Sequence, residues 1–289
     1  MVTSKSGRAA TALIGIVLTL IALSMVVPLI HLLAVSLSDP VYANAKLVYL
    51  WPKGFHLNVY KTIIGMEPLW RSMGVTIFIT VGGTLLHLFF TSTMAYGLSR
   101  PFAPGKKIIL RLVLVTFIFS APLIPTYLVI SGLGLENKLI ALMLPGAVNA
   151  FGVIIMKTFF QGLSSELFDA AKIDGCSELG IFTRIALPLS LAGIATLALF
   201  HSVGIWNSYF SALLYIQNKE LYPLQILLRS LVVEENASFR QGGAGEVITS
   251  TPEMMKAGII LFATAPILLV YPFLQKFFVK GAMLGSLKE

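Results

Sequence analysis

The sequence predicts an all-α membrane protein of about six transmembrane helices, and three observations carry that expectation. Hydrophobic residues make up 56% of the 289 positions and charged residues only 12%, against about 25% charge in soluble globular domains. The mean hydropathy is +0.86. Apolar runs of roughly the 20 residues needed to cross a bilayer recur near 11–36, 72–98, 108–131, 139–160, 186–214 and 256–278. The net charge of +8 would suggest nucleic acid in a soluble chain, but here the bases flank apolar runs, where they meet lipid headgroups and set orientation. Nucleic acid is therefore not an expected partner. Cys176 is the only cysteine and the four histidines are scattered, which argues against an intrachain disulfide or a metal site.

Taken in order, the run 11–36 follows Lys5 and Arg8 without a small-residue cleavage pattern, so it is expected to be a retained first helix. The polar stretch 37–71 is a long loop. In 72–98, Gly82 and Gly83 permit close helix approach. Pro122 and Pro125 in 108–131, Pro145 in 139–160, and Pro266 and Pro272 in the last run each remove a backbone donor and can kink a span. Gly132 and Gly134 build the tight turn 132–138. A second long loop, 215–255, contains Gly242, Gly243 and Gly245, expected to be mobile, and ends with Ser250 to Glu253, which reads as a capping box restarting a helix. No internal repeat is visible, so one membrane domain spanning 1–289 is expected. The loop 99–111 carries Arg100, Lys106, Lys107 and Arg111 and no acid. Basic loops stay cytoplasmic, which places both termini in the cytoplasm and the loops 37–71 and 215–255 outside.

Apart from His31, His87 and His201, no ionisable side chain sits in the middle of an apolar run. Proton-coupled carriers bury chains of Asp, Glu or His along their path, so proton-driven transport is not expected, and each histidine alone reads as hydrogen-bonded packing. No GxxxxGK[ST] phosphate loop occurs. Energy for any uphill transport must come from another subunit.

The interval ELFDAAKIDGCSELGIFTRIALP, 166–188, is the anomaly. It holds Glu166, Asp169, Asp174 and Glu178, four of the 13 acidic residues. Ser164 or Ser165 can cap a helix, Glu166 and Asp169 favour its first turn, and Gly175 is a good stop. A helix of about nine residues follows. Leu167, Ala170, Ala171 and Asp174 share one face by the i, i+3, i+4, i+7 relation, and the two alanines make a low surface that another protein can approach. Asp169 can pair with Lys172 along the helix, a contact worth a few tenths of a kcal/mol. Helices this short are marginal in water, so a partner surface should hold it.

The same interval resembles the EAA loop of binding-protein-dependent ABC importer permeases: E-A-A, three residues, G, nine residues, I, one residue, L-P. Here Asp169-Ala170-Ala171, Gly175, Ile185, Leu187 and Pro188 stand at those spacings, with Asp169 replacing Glu as the one departure. The resemblance implies a type I ABC importer permease fold in which 165–188 carries a cytoplasmic coupling helix that docks in a groove of the ATPase subunit. Asp169, Ala170, Ala171, Asp174, Gly175, Leu187 and Pro188 are the implied coupling residues. ATP and Mg would be bound by two partner ATPases, this chain holding no cofactor. A second homologous permease and an external solute-binding protein complete the implied assembly in a bacterial inner membrane.

GIWNSYFSALLYI, 204–216, resembles the Trp-Asn segment of carbohydrate-uptake permeases. The ending YPFLQKFFVKGAMLGSLKE is similar to the branch handling oligosaccharides such as aldouronates and alginate. Trp206, Tyr209 and Phe210 lie around one helical stripe bordered by Asn207. Rings stack on the CH faces of sugars and an amide pairs with hydroxyls, although an aromatic stripe in a membrane also serves packing and anchoring. The expected function is import of a sugar or oligosaccharide. The rivals are a stand-alone secondary carrier and a membrane-embedded enzyme, the latter needing convergent acids or a metal near an interface.

Overall fold

The computed structural model describes residues 5–101, 103–119, 121–233 and 251–286. Its regular structure is helical throughout: α1 Lys5–Ser36, α2 Pro40–Asn44, α3 Asn58–Gly65, α4 Glu67–Ser99, α5 Lys106–Ile118, α6 Leu123–Gly132, α7 Ile140–Met143, α8 Ala150–Gln161, α9 Ser165–Ile173, α10 Glu178–Ile181, a π-helical turn Phe182–Ala186, α11 Leu187–Leu189, α12 Leu191–Trp206, α13 Phe210–Tyr215, a 3₁₀ turn Lys219–Leu221, α14 Leu224–Val233 and α15 Pro252–Ser286. The all-α expectation holds.

Among the described residues, three helices are long and apolar enough to span a membrane uninterrupted: Thr11–Ser36 within α1, α4, and Pro252–Pro272 within α15. Pro28, Pro266 and Pro272 lie inside α1 and α15 without ending them. The other expected spans are interrupted. The run 108–131 divides into α5 and α6, with Pro122 as the N-cap of α6, where its missing N–H costs no helical bond. The run 139–160 is not one helix but α7, a non-helical segment containing Pro145 and Gly146, and the 12-residue α8. The run 186–214 ends its first helix at Asn207 and resumes at Phe210. The segment Glu178–Leu189 meets α12 at 76°. A π-helical turn just before Pro188, with the Leu187 N–H bonded to the Phe182 carbonyl, relieves the clash between a proline ring and the carbonyl four residues earlier.

The chain forms two compact units. One consists of residues 1–70 and 228–265. There Asp39 caps α2, its Oδ1 accepting from the Val41 N–H at 2.8 Å. The Ser36 and Tyr60 hydroxyls bond at 2.8 Å, and Trp70 meets Phe262 edge to face at 5.1 Å. His31 Nδ1 bonds the Tyr49 carbonyl at 2.7 Å. Ser250 of the expected capping box and Gly242, Gly243 and Gly245 lie outside the described residues. The described cap of α15 is Thr251, whose Oγ1 accepts from Met254 N–H at 3.3 Å, because Pro252 occupies the first helical position.

The second unit consists of residues 71–227 and 266–289. Its main core gathers Ala95 and Tyr96 of α4, Met156 and Phe160 of α8, Phe168 and Ala171 of α9, and Ile181, Ala186 and Leu197. Gly82 and Gly83 serve close approach as expected: an added Cβ would stand 3.0 Å from Met143 Sδ and 2.5 Å from Ile205 Cδ1, respectively.

Close approach also occurs in the first unit, where a Cβ on Gly258 would stand 2.6 Å from Val59 Cγ1 and 2.7 Å from Ile63 Cδ1. Gly258→Leu is expected to destabilise by about 1–3 kcal/mol through overpacking, read as a lowered thermal midpoint in detergent, while Gly204→Leu, with open space around it, leaves the midpoint unchanged.

Candidate coupling helix and membrane cavity

The acidic interval folds from local signals. Ser164, extended at φ −61 and ψ 132, accepts the Glu166 N–H on its side chain and starts α9. At the other end the Cys176 N–H bonds the Ala171 carbonyl at 2.9 Å and the Gly175 N–H the Lys172 carbonyl at 3.0 Å. This paired return is a Schellman turn, and it requires the left-handed φ of +76 that Gly175 supplies. Nine residues of helix result, with both expected limits met.

The faces of α9 divide differently from the expectation. Phe168 and Ala171 point into the core, Ala171 being 8% exposed. Leu167, Asp169, Ala170 and Asp174 face outward, and Ile173 is 87% exposed. Ala171 therefore does not share an outer face with Ala170; its small side chain lets α9 seat closely on its own chain. Lys172 does not pair with Asp169 either. Its Nζ lies 2.9 Å from Glu178 Oε1, and Asp169 has no ion pair among the described residues. Leu187 packs half-buried against the same core and Pro188 is exposed.

Beneath Gly83 and His87, a cavity of about 540 Å³ opens within the second unit. Its wall comes from the interrupted spans: Ala121, Leu123 and Thr126 around the α5–α6 break, Pro145, Gly146 and Asn149 between α7 and α8, and Ser208, Ser211 and Tyr215 after the end of α12. His87 and His201 complete it, their rings stacked at 4.0 Å and 7°. His87 Nδ1 bonds the Gly146 carbonyl at 3.0 Å, and His201 Nε2 is buried without a hydrogen-bond partner. Asn149 Oδ1 caps α8 by accepting the Gly152 N–H at 2.6 Å. The lining is neutral polar and apolar, without Lys, Arg, Asp or Glu.

None of Trp206, Asn207, Tyr209 and Phe210 lines this cavity. Trp206 is buried, Tyr209 half-buried and Phe210 exposed. Asn207 closes α12: its amide donates to the Val203 carbonyl at 2.9 Å, and its Oδ1 accepts from Gln225 Nε2 at 3.4 Å. The neighbours Ser208 and Ser211, passed over in the sequence, are the ones that reach the cavity. Also missed was a polar stripe on α4: Ser72, Thr76, Thr80, Thr84, His87 and Thr91 are all buried. Their spacing of three and four residues is a helical face that was readable as such. Next to Tyr215, whose carbonyl accepts the Asn137 N–H at 2.7 Å, Asn137 takes a left-handed φ of 56 and its Oδ1 accepts the N–H groups of Gln217 and Asn218 at 3.1 and 2.8 Å. Beside it, donation from the Tyr127 and Ser131 hydroxyls holds the Glu136 carboxyl below the ordinary carboxylate range.

A membrane-embedded helical chain with a broken-span cavity and a small docking helix outside the spans defines a transport permease. Residues 4–283 match the family described as binding-protein-dependent transport system inner membrane component, and the chain belongs to it. Protein LplC of Bacillus subtilis is 46% identical over 263 residues, covering 91% of this chain and 89% of that protein. The polygalacturonan/rhamnogalacturonan transport system permease protein YtcP of the same organism is 44% identical over 274 residues, 94% of this chain and 95% of that one. Among solved structures, a bacterial ABC transporter involved in the import of the acidic polysaccharide alginate matches with a TM-score of 0.88 at 29% identity, covering 95% of this chain and 98% of its own.

Because nothing lies within 4 Å of a Cβ built on Gly175, its requirement is purely conformational. Gly175→Ala is expected to destabilise the turn by about 1 kcal/mol, and Gly175→Asn by less, since Asn tolerates the left-handed region. Amide hydrogen exchange across 166–176 reads both: about fivefold faster for Ala and little changed for Asn.

Proposed function

We propose that this chain is the transmembrane subunit of an ATP-driven importer that moves a sugar or oligosaccharide, delivered by a solute-binding protein, across a bacterial inner membrane. The observation that carries the proposal is α9: a helix seated on its own chain by Phe168 and Ala171 yet presenting Leu167, Asp169, Ala170 and Ile173 outward. Exposed apolar groups beside a carboxylate on so short a helix fit a protein groove better than water. The coupling residues Asp169, Ala170, Asp174 and Gly175 supply the contact and the turn. Ala171, Leu187 and Pro188 set the seat and the angle of the chain behind it.

In this proposal a second permease subunit pairs with this one to enclose the pathway, and two ATPases bind below, holding ATP and Mg. Both termini and α9 are cytoplasmic, and the solute-binding protein docks on 37–71 and 215–255. ATP binding closes the ATPases and turns the pathway outward; hydrolysis resets it inward, with no bond of the solute made or broken. The cavity is this subunit's share of the path. Ser208, Ser211, Asn149 and Tyr215 offer hydroxyl and amide groups for sugar hydroxyls, and Asn207, by closing α12, sets where Ser208 and Ser211 stand. Relatives named for polygalacturonan/rhamnogalacturonan transport and for alginate import support uronic-acid polymers as the substrate. The cavity's neutral wall then assigns recognition of their charge to the second permease or to the binding protein.

Two measurements test this. An Ala170→Cys variant is expected to crosslink to a co-purified ATPase subunit, and Ala170→Phe to lose co-purification with at least a tenfold fall in uptake while insertion persists, as a loss of about 1.4 kcal/mol or more in docking demands; normal uptake by Ala170→Phe would refute the docking role. In proteoliposomes holding the whole assembly, galacturonate oligomers are expected to enter only with ATP and the binding protein present. Uptake driven by a proton gradient alone would favour a secondary carrier.

A further inference from the structure

Arg100 follows the last turn of α4, in the basic loop whose charge marks it as cytoplasmic. Its guanidinium carbon lies 3.6 Å from the centroid of the Phe168 ring on α9 and 4.2 Å from that of Tyr96 on α4. Nη2 donates to the Tyr96 hydroxyl at 2.6 Å, and that hydroxyl donates onward to Glu178 Oε2 at 3.1 Å. Glu178 Oε1 holds Lys172 Nζ, back on α9, at 2.9 Å. A closed circuit therefore runs from α4 through Arg100 to Phe168, along α9 to Lys172, across to Glu178 at the start of α10, and through Tyr96 to α4 again.

The chemistry of the circuit is particular to arginine. Nε is buried with no hydrogen-bond partner, so the group is kept in place by two ring faces and one short bond rather than by a fork of hydrogen bonds. A planar, weakly hydrated cation can lie between rings in this way, whereas an ammonium is a strongly hydrated point charge that cannot present a face. Lys106 Nζ bonds the Arg100 carbonyl at 2.9 Å, fixing the backbone from which the guanidinium reaches. Packing alone would seat α9 through Phe168 and Ala171 but would leave it free to slide on an apolar surface. The circuit adds direction, because it ties the end of α4 to α9 at two places, Phe168 and Lys172, the second by way of Glu178 at the start of α10.

We propose that Arg100 is a positioning residue that clamps α9 to the end of α4, so that a displacement of the coupling helix is delivered undiminished to the long helix that carries Gly83 and His87. This rests on α9 as the ATPase-docking helix. The clamp is distinct from that docking: its centre, Arg100 with Phe168 and Tyr96, lies on the inner side of α9, only the Lys172–Glu178 pair is exposed, and Ala170, Asp169 and Ile173 take no part in it.

The test uses the whole importer, with Cys176→Ala and spin labels on cysteines at the exposed positions Glu166 on α9 and Phe89 on α4, neither of which belongs to the docking surface or to the clamp. The parent is expected to show one narrow distance in both the nucleotide-free and the ATP-trapped states. Arg100→Lys, which keeps the charge and loses the plane, and Phe168→Leu, which keeps apolar bulk and loses the ring, should broaden that distance and shift it by about 2 Å or more on trapping. Phe168→Tyr should stay narrow, since the ring face remains. Should Phe168→Leu fail to assemble, Arg100→Lys decides alone. Unchanged distances in Arg100→Lys with the ATPase still bound would overturn the clamp and leave docking intact. A distance that moves in the parent would also overturn it, and absence of the ATPase from the parent preparation would overturn docking and the clamp together.

Discussion

Backbone polar groups inside a bilayer have no water to turn to, so a span can be interrupted only where the chain itself satisfies the freed groups or where a wet cavity does. That constraint organises the second unit. α12 stops at Asn207, whose side-chain amide takes the Val203 carbonyl. α8 starts at Asn149, whose side chain takes the Gly152 N–H. α6 starts at Pro122, which has no N–H to satisfy. Each interruption is thus closed by one local device, and residues at all three reach the wall of the same cavity. The polar lining is the side on which irregular backbone is tolerated, and the histidine pair sits where α4 and α12 close on it.

Outside the spans the opposite problem arises. A nine-residue helix in water gains too few bonds to offset its nucleation, and α9 exists because three independent supports act on it: the Ser164 cap, the Gly175 turn and the seat of Phe168 and Ala171 in the core. None of them uses the outer face. The two adjacent alanines are small for different reasons. Ala171 must fit beneath the helix against its own chain, and Ala170 keeps the outer surface low. A motif that reads as one repeated preference is two constraints on opposite sides of a helix.

Local signals were therefore legible and tertiary ones were not. The bounds of α9 follow from Ser164 and Gly175 because caps act within a few residues. The continuity of 139–160 did not follow from hydropathy, which counts apolar residues and is blind to whether Pro145 and Gly146 bend the chain or break it. Lys172 had two carboxylates in reach, and helix spacing alone favoured Asp169; the turn after Gly175 brings Glu178 closer. His87 and His201 each read as solitary because 113 residues separate them, and only the packing of α4 on α12 stacks their rings. The Trp-Asn segment ends a helix, which turns Ser208 and Ser211, not Trp206, toward the cavity.

α4 ties these parts together. Thr76, Thr80, Gly83, His87, Thr91 and Ala95 recur every three or four residues and form one buried stripe of small or polar side chains. Small side chains let Met143 and Ile205 approach near the middle, and the same stripe meets α8 and α9 near the C-terminal end of α4 at Ala95 and Tyr96. From Gly83 to Arg100 the helix runs about 25 Å at 1.5 Å per residue. An unbroken helix of that length does not absorb a displacement along its axis, since its hydrogen bonds would have to stretch together. Neither α6 nor α12, each bounded by a break beside the cavity, has that property. Among the described residues, α4 is consequently the continuous helix that both lines the cavity, through His87, and packs against α9, through Ala95 and Tyr96.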